Sequence, residues 1–201
     1  MDEAGRGCLA GPLVAAAVCF DIASFGRADA RALRRVDDSK RVPAAVRAEL
    51  ALEILGRAHQ VVVVAAAPAT IDRRGLHVCN LDLLSRALAG VAATEALCLV
   101  DGFALGEGAR PHRRVVGGDR TSFCIAAASV VAKEARDRLM CGPAATAHPH
   151  HGFDEHVGYA TAAHREAIRA HGPTPLHRMS FRSEAYEVAP MGGPGTAGIG
   201  G

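Results

Sequence analysis

The sequence has no tryptophan, and its 201 residues include only two tyrosines and six phenylalanines. Large rings cannot fill the interior, so the core must be closed with alanine, valine and leucine. Net charge is equally scarce: 23 basic against 21 acidic side chains leave +2. So small a balance excludes a strongly basic, charge-driven nucleic-acid binder, and any affinity for phosphate must come from local arrangement. Long hydrophobic runs are missing too. The longest, Leu13–Phe20 and Val61–Ala67, are far too short to cross a bilayer. The six cysteines, at 8, 19, 79, 98, 124 and 141, include no Cys-x-x-Cys pair, and several lie inside apolar runs as small buried hydrophobes do. With no basic-then-apolar leader in view, the expectation is a reduced, cytoplasmic protein without a membrane segment.

What is present is ordinary globular composition, 49% hydrophobic and 22% charged, at a length that supports one sizeable domain with a small appendage. Leu13–Phe20 reads as a short strand bounded by Pro12 and the turn-rich Asp21–Gly26. It should return antiparallel to whatever strand carries Asp2. Pro43 suits the first turn of a helix to about Ala58, with Val46, Leu50 and Ile54 at spacing four. Gln60–Ala67, apolar on both faces, reads as a central strand that Pro68 ends. Ile71–Val78 reads as irregular and Asn80–Ala93 as a helix. Ala96–Val100 is a brief buried strand ending on Asp101-Gly102, Arg113–Val116 an edge-strand candidate, and Gly117-Gly118-Asp119 a turn. Ser122–Arg138 has the composition of a long helix whose first half is buried all round. A histidine-rich loop, His148–His156, precedes a helix of about Ala162–His171, with Thr161 as N-cap and Gly172-Pro173 as stop. The alternation predicts an α/β fold. A mixed sheet flanked by helices spans 1–140, a small helical C-terminal subdomain spans 141–186, and a disordered Gly/Pro-rich tail spans 187–201.

Acids mark one kind of place in this order. Asp2 and Glu3 precede Ala4-Gly5, Asp101 precedes Gly102, and Asp119 follows Gly117-Gly118, each where a strand stops and a glycine begins. Loops at strand ends converge on ligand sites in α/β sheets. Carboxylates gathered there repel and stay ionised only beside a cation, and an all-oxygen set suits Mg2+ or Mn2+ rather than zinc. Two such ions about 4 Å apart can activate water and stabilise the leaving oxygen in phosphodiester hydrolysis. Neighbouring side chains of a strand point to opposite faces, so Asp2 and Glu3 serve one site only if the backbone turns, as Gly5 and Gly7 permit. Gly5-x-Gly7-x-x-Ala10 formally satisfies a dinucleotide-binding fingerprint, but that motif needs a full strand before it and a helix opening within it. His148, His150, His151 and His156 lack the cysteine or helical spacing of a zinc site and read as solvated. His164 and His177 read as structural or phosphate-facing.

The motifs, taken in order, resemble one family. They are Asp2-Glu3-Ala4-Gly5-Arg6-Gly7 with Ala10-Gly11-Pro12-Leu13-Val14, Asp38-Ser39-Lys40, Val100-Asp101-Gly102 and Gly118-Asp119. Ser122, Ile125 through Lys133, Arg136-Asp137, His156 through Thr161, His164 and His177 through Phe181 follow. From residue 2 to about 182 the chain is similar to bacterial ribonuclease HII, the type 2 ribonuclease H family. The resemblance implies a ribonuclease H-like fold and endonucleolytic cleavage of RNA in RNA–DNA hybrids, including a single ribonucleotide embedded in duplex DNA. It implies a cut 5′ to the ribonucleotide that leaves a 3′-hydroxyl and a 5′-phosphate. Asp2, Glu3, Asp101 and Asp119 match the catalytic carboxylates that bind two Mg2+ or Mn2+ ions. Gly5, Arg6 and Gly7 match the turn whose backbone reads the 2′-hydroxyl, and Tyr159 the ring that packs on the adjacent deoxyribose. Ser39, Lys40, Ser122 and Lys133 would contact phosphates, a track that Arg165, Arg169 and Arg178 could extend. The implied partners are hybrid and ribonucleotide-containing duplex, bound by a monomer, with no membrane.

Two departures accompany the likeness. The residue before Gly118-Asp119 is usually lysine and here is Gly117, while the usual serine after that aspartate is Arg120, which can recover the lost charge nearby. The family also has a strand leading into the Asp-Glu pair, with valine common where Met1 stands. The sequence therefore reads as starting late, at a misassigned GTG codon. A hybrid-binding protein impaired in catalysis is the alternative that such a start leaves open.

Overall fold

The alanine-rich run after Pro12 becomes the strand on which the molecule is built. In the computed structural model, which describes residues 1–37, 39, 42–92 and 95–187, strands β1 (Asp2–Ala4), β2 (Leu13–Cys19) and β3 (Gln60–Ala66) form an antiparallel sheet in the order β1-β2-β3. Asp2 lies opposite Ala16 and Leu13 opposite Ala66, so the expected antiparallel return onto the Asp2 strand is observed. Strands β4 (Leu99–Asp101) and β5 (Arg113–Val115) pair in parallel. Two backbone bonds join β4 to the first sheet beside β1: Met1 N donates to Leu99 O at 2.8 Å, and Asp101 N–H to Met1 O at 3.1 Å.

Among the described residues six helices belong to this part: α1 (Arg27–Ala32), α2 (Ala44–Arg57), α3 (Pro68–Arg74), α4 (Leu76–Ala89), α5 (Gly118–Thr121) and α6 (Phe123–Leu139). The period-2 alternation of β2 sorts its side chains between two cores. Leu13, Ala15 and Ala17 pack with Leu83, Leu84 and Leu88 of α4. Val14, Ala16 and Val18 pack with Leu50 and Ile54 of α2 and with Ala127, Ala128, Val130 and Val131 of α6. Small side chains on β2 let helices approach both faces, which is how a core closes almost without rings. The first half of α6 is buried as expected, from Ile125 through Ala132.

Two expectations are corrected here. β3 pairs only with β2 among the described strands and is an edge, with Val63 44% exposed. Valines suit any pleated strand, so their abundance does not report whether a second neighbour exists. The stretch read as irregular before Asn80 is helical instead. Pro68 sits in the first turn of α3, where its missing N–H costs nothing, and Gly75, at φ 82, separates α3 from α4.

The C-terminal segment is a chain of short turns and helices. A π-turn at Met140–Ala144 leads through α7 (Ala145–Ala147), a 3-10 turn at Pro149–His151 and α8 (Phe153–His156) to α9 (Ala162–His171) and α10 (Glu184–Glu187). α9 has the expected bounds, the Thr161 hydroxyl accepts the His164 N–H at 3.2 Å, and Gly172 ends the helix. The histidine-rich stretch is only partly solvated: His150 is exposed and His148 half-buried, but His151 and His156 are buried, as are His164 and His177 farther along the chain. The buried rings and that of His148 surround Phe153 at 5.6–6.2 Å between centroids. Imidazoles thus supply the flat rings that the sequence otherwise lacks. Of the expected tail, Glu187 belongs to α10, and residues 188–201 lie outside the described residues. All six cysteines are free. Among the described residues no helix is long and apolar enough to cross a membrane.

Candidate active site

The backbone pairing that joins β1 to β4 brings Asp2 and Asp101 onto neighbouring strand ends. β1 stops at Ala4, and Gly5, at φ +94, turns the chain. A Cβ there would overlap the Arg136 side chain. Gly7 is different: a Cβ would meet nothing within 4 Å, so packing does not demand glycine, and the missing side chain leaves the backbone open to the cleft. That cleft, of about 660 Å³, is lined by all four expected carboxylates, the Gly5-Arg6-Gly7 turn, Ser39, Lys133 and Tyr159. A more apolar hollow of about 690 Å³, between the Cys19 end of β2 and the Leu97–Leu99 segment, contains none of the four carboxylates.

Burial dominates the electrostatics of the acid pair. It pushes Asp2 up to about 6, with Asp101 adding repulsion, while a Ser129 hydroxyl bond and the Glu3 N–H oppose it. Burial likewise pushes Glu3 up to about 7, reinforced by the charge of Asp2 and opposed by Arg6. The Arg6 guanidinium approaches Glu3 Oε1 at 3.5 Å and lies over the Phe103 ring at 4.7 Å. Glu3 Oε2 is buried with no hydrogen-bond partner. Asp2 Oδ1 accepts the Glu3 N–H at 2.8 Å, and Asp101 Oδ1 accepts the Gly118 N–H at 2.6 Å. Among the described residues no three His, Cys, Asp or Glu side chains stand close enough together to hold a metal ion.

The family profile described as ribonuclease HII matches residues 1–184. The chain belongs to the ribonuclease HII family. It is 44% identical over 193 residues to ribonuclease HII of Salinispora arenicola, covering 96% of this chain and 70% of that protein. Identity to the Mycobacterium avium protein is 45%, covering 90% of this chain and 76% of that one. Identity to the Chelativorans sp. protein is 48%, with coverages of 90% and 69%. The fold superimposes on the ribonuclease H2 of Pyrococcus horikoshii with a TM-score of 0.72 at 22% identity, covering 92% of this chain and 93% of that one. It superimposes on the RNase HII of Archaeoglobus fulgidus, solved in a complex with PCNA, with a TM-score of 0.70 at 26% identity and coverages of 89% and 90%. A Bst-RNase HIII structure in complex with Mn2+ matches at a TM-score of 0.68 and 20% identity, with coverages of 94% and 67%. Family membership makes the protein a type 2 ribonuclease H, an endonuclease on a mixed α/β fold.

Not every residue expected in this ribonuclease HII site reaches the cleft. Lys40 and Asp38 lie outside the described residues. Ser122 does not line the cleft; it occupies the N-cap position of α6, and its carbonyl accepts the Ala126 N–H at 2.9 Å. Arg178 is corrected outright. It is fully buried, donating to Gly11 O at 3.0 and 2.8 Å and to Arg6 O at 3.2 Å, so it holds the glycine loop and cannot extend a surface phosphate track. Arg165 donates to Ala160 O at 2.7 Å, and Arg169 is exposed on α9.

Two supporting residues escaped the sequence reading. Ser129 bonds Ser39 between hydroxyls at 2.8 Å and also holds Asp2; a lone hydroxyl in the apolar run Ala126–Val131 was the available signal. Asp137 holds Lys133 at 2.8 Å and Arg47 at 2.6 Å, which fixes the lysine at the cleft rim. Gly118 carries a prediction. A Cβ there would overlap Ile125 and lie 3.2 Å from Asp101 Oδ1. Gly118→Ala is expected to lower stability by about 1–3 kcal/mol and to cut cleavage at least tenfold. Thermal melting and initial rates check both, and an unchanged rate would show that Asp101 tolerates the shift.

Proposed function

We propose that the enzyme cleaves RNA in RNA–DNA hybrids and at a single ribonucleotide embedded in duplex DNA, 5′ to the ribonucleotide, leaving a 3′-hydroxyl and a 5′-phosphate. The observation that carries this reading is that the open Gly7 backbone lines the same cleft as Asp2, Glu3, Asp101 and Asp119. Backbone amides carry no base preference, so they can report a sugar hydroxyl in any sequence. Residues 1–140 form the catalytic part in this reading and 141–186 the substrate-binding part, acting as a monomer in the cytoplasm.

The donor set fits divalent cations, Mg2+ or Mn2+: it is all oxygen, Glu3 Oε2 is buried without a partner, and the acids repel one another. Asp2, Glu3, Asp101 and Asp119 would hold two ions, which when bound supply water activation and stabilisation of the leaving oxygen. The rest falls to the chain. Gly5, Arg6 and Gly7 seat the ribose. Ser39, Lys40 and Lys133 hold phosphates and so position the strand without selecting sequence. Tyr159, 36% exposed at the cleft edge with Lys133 Nζ 5.0 Å from its ring centre, packs on the next deoxyribose.

A DNA duplex with one ribonucleotide, assayed with Mg2+, Mn2+ or EDTA, tests the reading. Cleavage on the 5′ side in either metal and none in EDTA is expected, and binding without cleavage in both metals would defeat it. Tyr159→Ala should lower kcat/KM on that duplex by 10-fold or more and on a continuous RNA–DNA hybrid by less than threefold. A uniform loss would remove Tyr159 from sugar recognition.

A further inference from the structure

Arg136 on α6 is fully buried, and Asp137 Oδ1 approaches its guanidinium only to 3.8 Å. Its three nitrogens donate to carbonyls instead: Nε to Pro12 at 3.1 Å, Nη2 to Ala10 at 2.9 Å and Nη1 to Val157 at 2.9 Å. Two of those carbonyls belong to the loop that follows the Gly5–Gly7 turn, and the third lies two residues before Tyr159. Solvating a buried cation with neutral carbonyls is a costly way to fill a core position, for which an apolar side chain would serve. What a guanidinium adds is a rigid fork that fixes several acceptors at once.

A second observation points to the same joint. Val157, at φ 44, is the one non-glycine with positive φ among the described residues, a conformation that crowds a β-branched side chain. It is where Arg136 takes the Val157 carbonyl. The next residue, Gly158, accepts from Ala10 N–H at 3.2 Å and donates to His156 Nδ1 at 3.1 Å, and a Cβ on it would overlap the Ala10 carbonyl. The Tyr159 carbonyl accepts from His164 Nδ1 at 2.8 Å. Three successive residues are thus pinned, with no slack between them and residues 10–12.

We propose that Arg136 is a positioning residue that sets the distance between the Gly5–Gly7 turn and Tyr159, and thereby makes the enzyme selective for a ribonucleotide followed by DNA. The inference rests on the reading of that turn and of Tyr159 as sugar contacts. Arg136 touches no substrate in this scheme; it holds the two loops that do.

The test measures kcat and KM for Arg136→Lys on the single-ribonucleotide duplex and on a continuous hybrid, with Tyr159→Ala alongside. Lysine keeps the buried charge but cannot hold both loops. A 10-fold or larger fall in kcat confined to the single-ribonucleotide duplex, with KM changed less than threefold, is expected. Gly158→Ala, which leaves Arg136 intact but wedges the loops apart, should reproduce that selective loss and stands in if melting shows Arg136→Lys to be unfolded. Equal losses on both substrates in a folded variant, or no loss, overturn the proposal when Tyr159→Ala remains selective. If Tyr159→Ala is itself unselective, the underlying sugar-contact reading has failed instead.

Discussion

Asp101→Asn is expected to remove cleavage, by about 10³-fold or more, while leaving the fold at least as stable. The asparagine oxygen can still accept the Gly118 N–H that Asp101 Oδ1 takes at 2.6 Å, so α5 keeps its attachment to β4. What disappears is one negative charge among four acids, and with it the affinity for divalent cations on which the proposed hydrolysis depends; several kcal/mol of transition-state stabilisation go together. Asp101 also contributes to pushing up both Asp2 and Glu3, so its neutralisation relieves repulsion in the folded state. The melting temperature without metal should stay level or rise. In the wild type, millimolar Mg2+ or Mn2+ should raise it, because a ligand of the folded state stabilises by mass action. The variant should show little of that rise. Cleavage rates and melting curves with and without metal check all of this, and a variant that still turns over would mean that Asp101 is not one of the ligands.

Acid should loosen the C-terminal segment before it loosens the sheet. His164 donates through Nδ1 to the Tyr159 carbonyl at 2.8 Å, and His177 Nδ1 accepts the Thr174 N–H at 2.8 Å. The 3.1 Å contact between their Nε2 atoms then runs from His177 to His164, and neither ring has a free lone pair for a second proton. Burial, opposed by the Tyr159 carbonyl beside His164 and the Thr174 carbonyl beside His177, depresses both to about 4 against about 6.5 in an unfolded chain. Between these values the unfolded state binds more protons, so the stabilisation is full above about pH 6.5, falls as pH drops through the window, and is gone below about pH 4. Asp2 and Glu3, pushed up to about 6 and about 7, act in the opposite direction over nearly the same range and flatten the global curve. The local readout is therefore amide exchange in α9, corrected for the intrinsic exchange rate. That protection should fall by tenfold or more between pH 7 and 4.5. Constant protection would mean that the two imidazoles are not held neutral.

Local physics was the part most readily read from the residues. α9 has the bounds expected of it because a threonine cap and a glycine stop act within one turn of the helix. β2 was legible as a strand because a short apolar run between a proline and a turn-rich stretch is a property of a few neighbours. The carboxylates were legible one by one, as acids at the ends of strands, and through the order of the surrounding motifs.

Whatever depends on partners far along the chain was decided by the tertiary structure. Val61–Val64 are the same valines in an edge or a central strand, and the absence of a second neighbour made β3 an edge. Arg136 and Arg178 carry charges that favour solvent, yet carbonyls from residues 6 to 12 and from 157 surround them. The histidines drew together around Phe153 because a sequence so short of aromatic residues has few other rings with which to close that core. The opening acids show the division most clearly. Their chemistry and their nearness to a glycine turn belong to the sequence alone. Bonds from Met1 to Leu99 and Asp101, 98 to 100 residues away, decided that Asp2 and Asp101 share one cleft, because hydrogen bonds between strands obey geometry in space and not distance along the chain.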